Sequence, residues 1–219
     1  ALLVTWSIDG AEGVQRLMRR VSHWNIGLGW LLFAILSPVG LYLLLALGLV
    51  ALGGDPPGLR ALGTVNFLPY LGLAAWPLWI CTNGIGEETG WRGFALPRLQ
   101  QHHNAFIATL LLGVVWAFWH VPFFFYLPNF RAMGAVGFPG FAMSILCGAI
   151  VLTWLYNSTR GSVFATMMWH GAFNFITASA AGQGTVAIIM SVVVMVWSIL
   201  IVVIFRPASL SHALKQTAV

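Results

Sequence analysis

Six windows of this chain, near residues 26–51, 67–86, 105–126, 138–157, 163–180 and 185–205, run almost without a charged side chain. In a medium without water a helix satisfies its own backbone N–H and C=O groups, and about 20 apolar residues cross the hydrocarbon of a bilayer. The windows therefore predict an all-α protein, a polytopic transmembrane helical bundle of about six spans. Composition agrees, because 59% of the 219 residues are hydrophobic and 7% are charged, far from the usage of soluble domains. Residues 26–219 are expected to form the bundle, with no separate soluble domain. Residues 1–25 precede it.

That N-terminal segment has its own pattern. Val14, Leu17, Met18, Val21 and Trp24 recur at helical spacing, while Arg16, Arg19, Arg20 and His23 take the other face. An interfacial amphipathic helix is expected. The chain opens on the apolar run ALLVTW rather than on methionine, so residues upstream of Ala1 are expected. Net charge is +5, but the basic residues are scattered between spans and form no patch for a nucleic acid. Membrane lipids with anionic headgroups are the partners that such residues suit. Cys81 and Cys147 both lie in apolar stretches and are expected to pack rather than to form a disulfide.

Two Pro/Gly-rich stretches, GGDPPGLRALG at 53–63 and LPNFRAMGAVGFPG at 127–140, are expected to break the helices. Threading six spans from the Arg16, Arg19 and Arg20 side puts Arg92, Arg98, Arg160, Arg206 and Lys215 on that side too. Arg60 and Arg131 fall opposite. Basic loops favour the cytoplasm, so both termini of this chain are expected there. No internal repeat marks a duplicated transporter.

An ionisable group at membrane depth costs roughly 2.5 to 3.5 kcal/mol on insertion scales, so each such group is a functional candidate. Glu87 and Glu88, two of five acids in the chain, follow the second window directly; His120 lies in the third and His170 in the fifth. On an α-helix Glu88 faces Arg92 four residues on, whereas Glu87 points toward the side of Gly90, Trp91 and Phe94. Arg92 would keep Glu88 ionised, and a more apolar setting would raise the pKa of Glu87 and suit it to proton transfer. Gly84, Gly86, Gly90 and Gly93 would let helices approach closely. In WAFWHVPFF, Pro122 removes a backbone donor and should kink the helix just after His120. In WHGAFNF, His170 and Asn174 are four apart on one face, where both can donate to one oxygen. Taken singly, the acids serve equally as a capped or salt-bridged helix end, His120 as a packed side chain, and His170 with Asn174 as interhelical glue. Together, two acids, an arginine, two histidines and an asparagine on three helices resemble an active site.

EETGWR carries the pattern E-E-x-x-x-R in Glu87, Glu88 and Arg92, WAFWH an aromatic-x-x-x-His pattern ending on His120, and HGAFN the pattern His-x-x-x-Asn. In order and spacing these resemble the intramembrane CAAX proteases and bacteriocin-processing enzymes, the CPBP or Abi group, related to the type II CAAX prenyl endopeptidases. The resemblance covers about residues 84 to 177, the motif core. Trp116 stands where the eukaryotic enzymes usually have phenylalanine, which implies the broader prokaryotic branch and leaves prenylation of the substrate open. The family's bundle of about eight helices implies one or two before Ala1, in a prokaryotic cell membrane.

The resemblance also implies roles. Glu87 would be the general base that activates a water, His120 would help to hold that water, and His170 with Asn174 would donate to the developing oxyanion. Glu88 and Arg92 would support them. The substrate would be a peptide or a membrane-associated protein, cut near the cytoplasmic face. Zinc is the alternative, with Glu87, His120 and His170 as ligands. The motif H-E-x-x-H is absent, so a metal-independent mechanism with no cofactor is favoured. The chain has no G-x-S-G for a serine nucleophile, Ser162 is better placed as a helix start, and no paired aspartates occur. Outside peptidases, His120 and His170 could ligate haem, or Glu87 could relay protons in a transporter. Oligomeric state leaves no mark in the sequence.

Overall fold

The computed structural model of the protein describes residues 1–55, 58–64 and 71–218. Among them the chain is helical and contains no strand, as the windows predict. In chain order the helices are α1 (Leu2–Val21), α2 (Leu28–Ala51) and α3 (Ala75–Trp79), the last preceded by single 3-10 turns at Leu59–Ala61 and Gly72–Ala74. From α3 the backbone continues as a π-helical segment, π1 (Ile80–Glu87), a single α turn, α4 (Glu88–Gly90), and a second π segment, π2 (Trp91–Ala95). Then follow α5 (Leu96–His102), α6 (Ala105–Trp119), α7 (Phe123–Tyr126), α8 (Pro128–Ser158), α9 (Val163–Ala178) and α10 (Thr185–Ser209).

Among the described residues four stretches are long and apolar enough to cross a membrane: α2, Ala105–Tyr126, α8 and α10. These match the first, third, fourth and sixth windows. The fifth window forms α9, of whose 16 residues 11 are buried. The second window begins at residues 67–70, outside those described, and its remainder is α3 with π1. Pro56 and Pro57 of the first expected break also lie outside the described residues. The amphipathic N-terminal helix is present and starts earlier than its charge pattern indicates. It bends at Gly10, whose φ of 64° glycine adopts at little cost.

One expectation is corrected. Of residues 127–140, those from Pro128 on are helix rather than loop, interrupted only at Gly134, where φ is 60°. Pro128 opens α8, where its missing N–H has no partner to lose. Pro139 lies inside the second half of the helix, where it cannot donate to the Ala135 carbonyl, and the helix continues past it to Ser158. The kink after His120 is found as expected: α6 ends at Trp119, a turn follows, and α7 resumes after Pro122.

The chain forms two compact units, Ala1–Phe94 with Thr159–Ser191, and Ala95–Ser158 with Val192–Val219. In the first unit α9 is central, packed against π1, α2 and α3. Its core includes Tyr42, Trp79, Phe175, Ile176 and Met190, with Trp79 and Phe175 edge to face at 6.4 Å. Glycines on both sides allow π1 and α9 to approach. A Cβ at Gly84 would lie 2.7 Å from the carbonyl oxygen of Met167, and one at Gly171 3.1 Å from Ile80 Cα. Of the four glycines expected to serve close packing, Gly84 and Gly93 do. Gly90 faces open space, and Gly86 meets only the carbonyl of its own turn.

In the second unit α6 packs on α8, with the Thr109 hydroxyl 2.9 Å from that of Thr153 and Gly113 against Leu146 and Ala149. Asn104 caps α6 by accepting from Ile107 N at 2.8 Å. Buried Gln100 and Asn157 pair through their amides at 2.9 and 3.3 Å, and both bond the main chain of Gln216. That pair secures the C-terminal segment. Cys81 is exposed, Cys147 is half-buried, and both are free thiols.

Candidate active site

Glu88 sits at the junction of π1 with α4 and has no exposed surface; Arg92, in π2, has none either. Arg92 Nη1 donates to Glu88 Oε1 at 2.8 Å. The spacing of four predicted this pair, although the backbone around it is largely π rather than α, a conformation with no local pattern in the chain. Short π segments in helices cluster at functional sites. Glu88 lies outside the four candidate spans. Burial alone would raise its pKa, but Arg92 and then His170 outweigh that effect and hold it below the ordinary carboxylate value.

The same oxygen accepts a second bond, from His170 Nδ1–H in α9 at 2.9 Å. Because an ionised carboxylate only accepts, the proton is on Nδ1 and Nε2 carries the lone pair. Asn174 Nδ2 then donates to Nε2 at 3.0 Å. The result is a chain of contacts from Arg92 through Glu88 and His170 to Asn174. His170 is 4% exposed, and Asn174, half-buried, forms the open end. Glu87 is half-buried beside this chain, and its charge acts on Arg92.

His120 belongs to the second unit. Its Nδ1 lies 2.7 Å from the Trp116 carbonyl, a geometry that puts the proton on Nδ1 and the lone pair on Nε2. The turn at Pro122 is what folds the ring back onto its own helix end. Phe141 and Phe123 meet it edge-on at 5.2 and 5.6 Å, and Phe130 stacks at 6.4 Å. Among the described residues no three His, Cys, Asp or Glu side chains stand together as a metal-binding set.

One unit thus brings together Glu88, Arg92, His170 and Asn174, with Glu87 alongside. Sequence patterns missed two of the contacts that hold this group in place: Gly171 on Ile80, and Leu17 against Gly93. Ser162, expected to start a helix, does cap α9 by accepting from Ala165 N at 3.0 Å.

Residues 69–176 match the family described as type II CAAX prenyl endopeptidase Rce1-like. The match contains all six motif residues from Glu87 to Asn174. The core of this chain is Rce1-like. Consistent with that core, the chain is 32% identical over 92 residues to CAAX prenyl protease 2 of Methanococcus maripaludis, an alignment covering 40% of this chain and 34% of the relative. The chain therefore spans about a third of the length of the curated relative it matches. The Rce1-like stretch begins before α3 and ends within α9, so it includes both segments that form the Glu88–His170 contact.

Proposed function

We propose that the protein is an intramembrane endopeptidase that hydrolyses a peptide bond near the cytoplasmic face of the membrane. The observation that carries this reading is the buried chain Arg92, Glu88, His170 and Asn174, formed by motif residues with Glu87 beside it. A packing role does not require an ionised acid, its cation and a histidine of fixed tautomer in an apolar interior, where each charge is costly.

In the proposed reaction Glu87 takes a proton from water, and the water oxygen attacks the carbonyl carbon of the scissile bond. The carbonyl π pair moves onto oxygen. That oxyanion receives Asn174 Nδ2–H and, when His170 has taken a proton from solvent on Nε2, His170 Nε2–H, the proton returning to solvent after the intermediate collapses. Glu88 Oε1, on Nδ1, fixes the imidazole so that Nε2 faces Asn174. When the tetrahedral intermediate collapses, the C–N bond breaks and the amine leaves with the proton held by Glu87. His120, with Nε2 as acceptor, holds the water in this scheme, a role resting on its motif position. No metal takes part.

The substrate is a peptide or membrane-associated protein, and membrane lipids surround the helices. The positive-inside bias puts both ends of this chain in the cytoplasm. Both ring nitrogens of His170 are engaged, which disfavours it as an axial haem ligand. The test is a comparison of C-terminal peptide fragments in membranes holding the wild-type chain or Glu87→Gln. Fragments that vanish in the variant support the proposal, and an unchanged fragment set refutes it.

A further inference from the structure

Helix α1 touches both segments that build the site. Leu17, 3% exposed, packs on the backbone of Gly93, where a Cβ would lie 2.6 Å from Leu17 Cδ1. Arg20 Nη1 donates to the Gly93 carbonyl at 3.4 Å. Just beyond α1 the carbonyl of His23 accepts from Ser162 Oγ at 2.5 Å, and that same hydroxyl is the N-cap of α9. Gly93 directly follows Arg92, and Ser162 stands about two helical turns before His170. One helix end thus grips the segment bearing Glu88 and the segment bearing His170.

The other side of α1 is turned outward. Arg19 is exposed, Arg16 is partly so, and Met18 and Trp24 lie open beside them. Earlier in the helix Leu3, Trp6 and Ile8 are exposed. The acids on α1 are Asp9 and Glu12, and Glu12 lies 3.7 Å from Arg16, so the last three turns remain net positive. Exposed apolar side chains flanked by arginines fit the boundary between acyl chains and anionic headgroups.

We propose that α1 couples the site to an anionic lipid surface. Arg16 and Arg19 bind the headgroups, while Leu17 and Arg20 hold the Gly93 turn against the start of α9 and so keep Glu88 on His170. Leu17 and Arg20 are positioning residues. The site they control is the one assigned above to peptide hydrolysis, and the coupling deepens that assignment.

The test uses the full chain in vesicles of phosphatidylcholine, alone or with phosphatidylglycerol, and follows amide hydrogen exchange at residues 88–95. Adding phosphatidylglycerol should slow that exchange on the order of tenfold, the scale expected for two arginines at a charged surface. The variant Arg16→Gln/Arg19→Gln should lose the response, or Arg19→Gln alone should weaken it if the pair does not fold. Leu17→Ala should lose it with α1 still protected on the vesicle, and Arg20→Lys should keep it. Equal exchange in both vesicles for the wild type, or a full response in the double variant, would overturn the coupling. In a parallel cleavage assay kcat should rise with phosphatidylglycerol while KM stays fixed. Because exchange needs no turnover, a responsive but inactive protein would end the peptidase proposal alone, and an active but unresponsive one would end the coupling alone.

Discussion

Glu88 and His170, 82 residues apart in the chain, meet through a 2.9 Å hydrogen bond between Oε1 and Nδ1. Oε1 also accepts from Arg92, so one oxygen joins the guanidinium to the imidazole. This divides the adjacent acids. In the proposed reaction Glu88 has a structural and electrostatic role, and Glu87 transfers the proton.

Glu87→Gln should lower cleavage by about 10²- to 10⁴-fold, the scale of a lost general base, with unfolding midpoint unchanged because Glu87 is half-buried. Glu88→Gln should lower both activity and midpoint. Equal midpoints for the two variants would contradict this division of roles.

Arg92→Met leaves the Glu88 charge buried without its cation, and the cost should be roughly 3–5 kcal/mol of stability. Adding Glu88→Gln should recover much of the loss. Denaturation of the three variants in the same detergent, analysed as a double-mutant cycle, measures the coupling.

Asn174→Ala removes a donor from the proposed oxyanion site while the Glu88–His170 bond stays in place. A fall in kcat of about 10²- to 10³-fold with KM little changed is expected. A rise in KM alone would assign Asn174 to substrate binding.

Gly84→Ala should cost about 1–3 kcal/mol, because its Cβ would press on the Met167 carbonyl and part π1 from α9. At Gly90 the same change meets nothing within 4 Å and should be neutral or slightly stabilising. Unfolding midpoints of the pair separate close approach from helix propensity.

Exhaustive chelation should leave Glu87-dependent cleavage intact. Loss of activity restored by zinc and by no other divalent ion would instead make Glu87, His120 and His170 ligands.

The sequence by itself determined the solvent and the candidate site residues. Unbroken apolar windows force helices because the backbone has no other partner in lipid, and spacings of four placed Glu88 on Arg92 and His170 near Asn174. Those are local relations, readable along one helix. Only the tertiary structure decided that Glu88, rather than Glu87, meets His170, since that depends on π turns and on Gly84 and Gly171 letting two segments close. It also turned residues 128–140 from an expected loop into helix, because Pro128 falls at the first position, where a missing N–H costs little, and Gly134 takes up the bend. Leu17 against Gly93 left no mark in the chain for the same reason: a contact across 76 positions is chosen by packing, which no local pattern encodes.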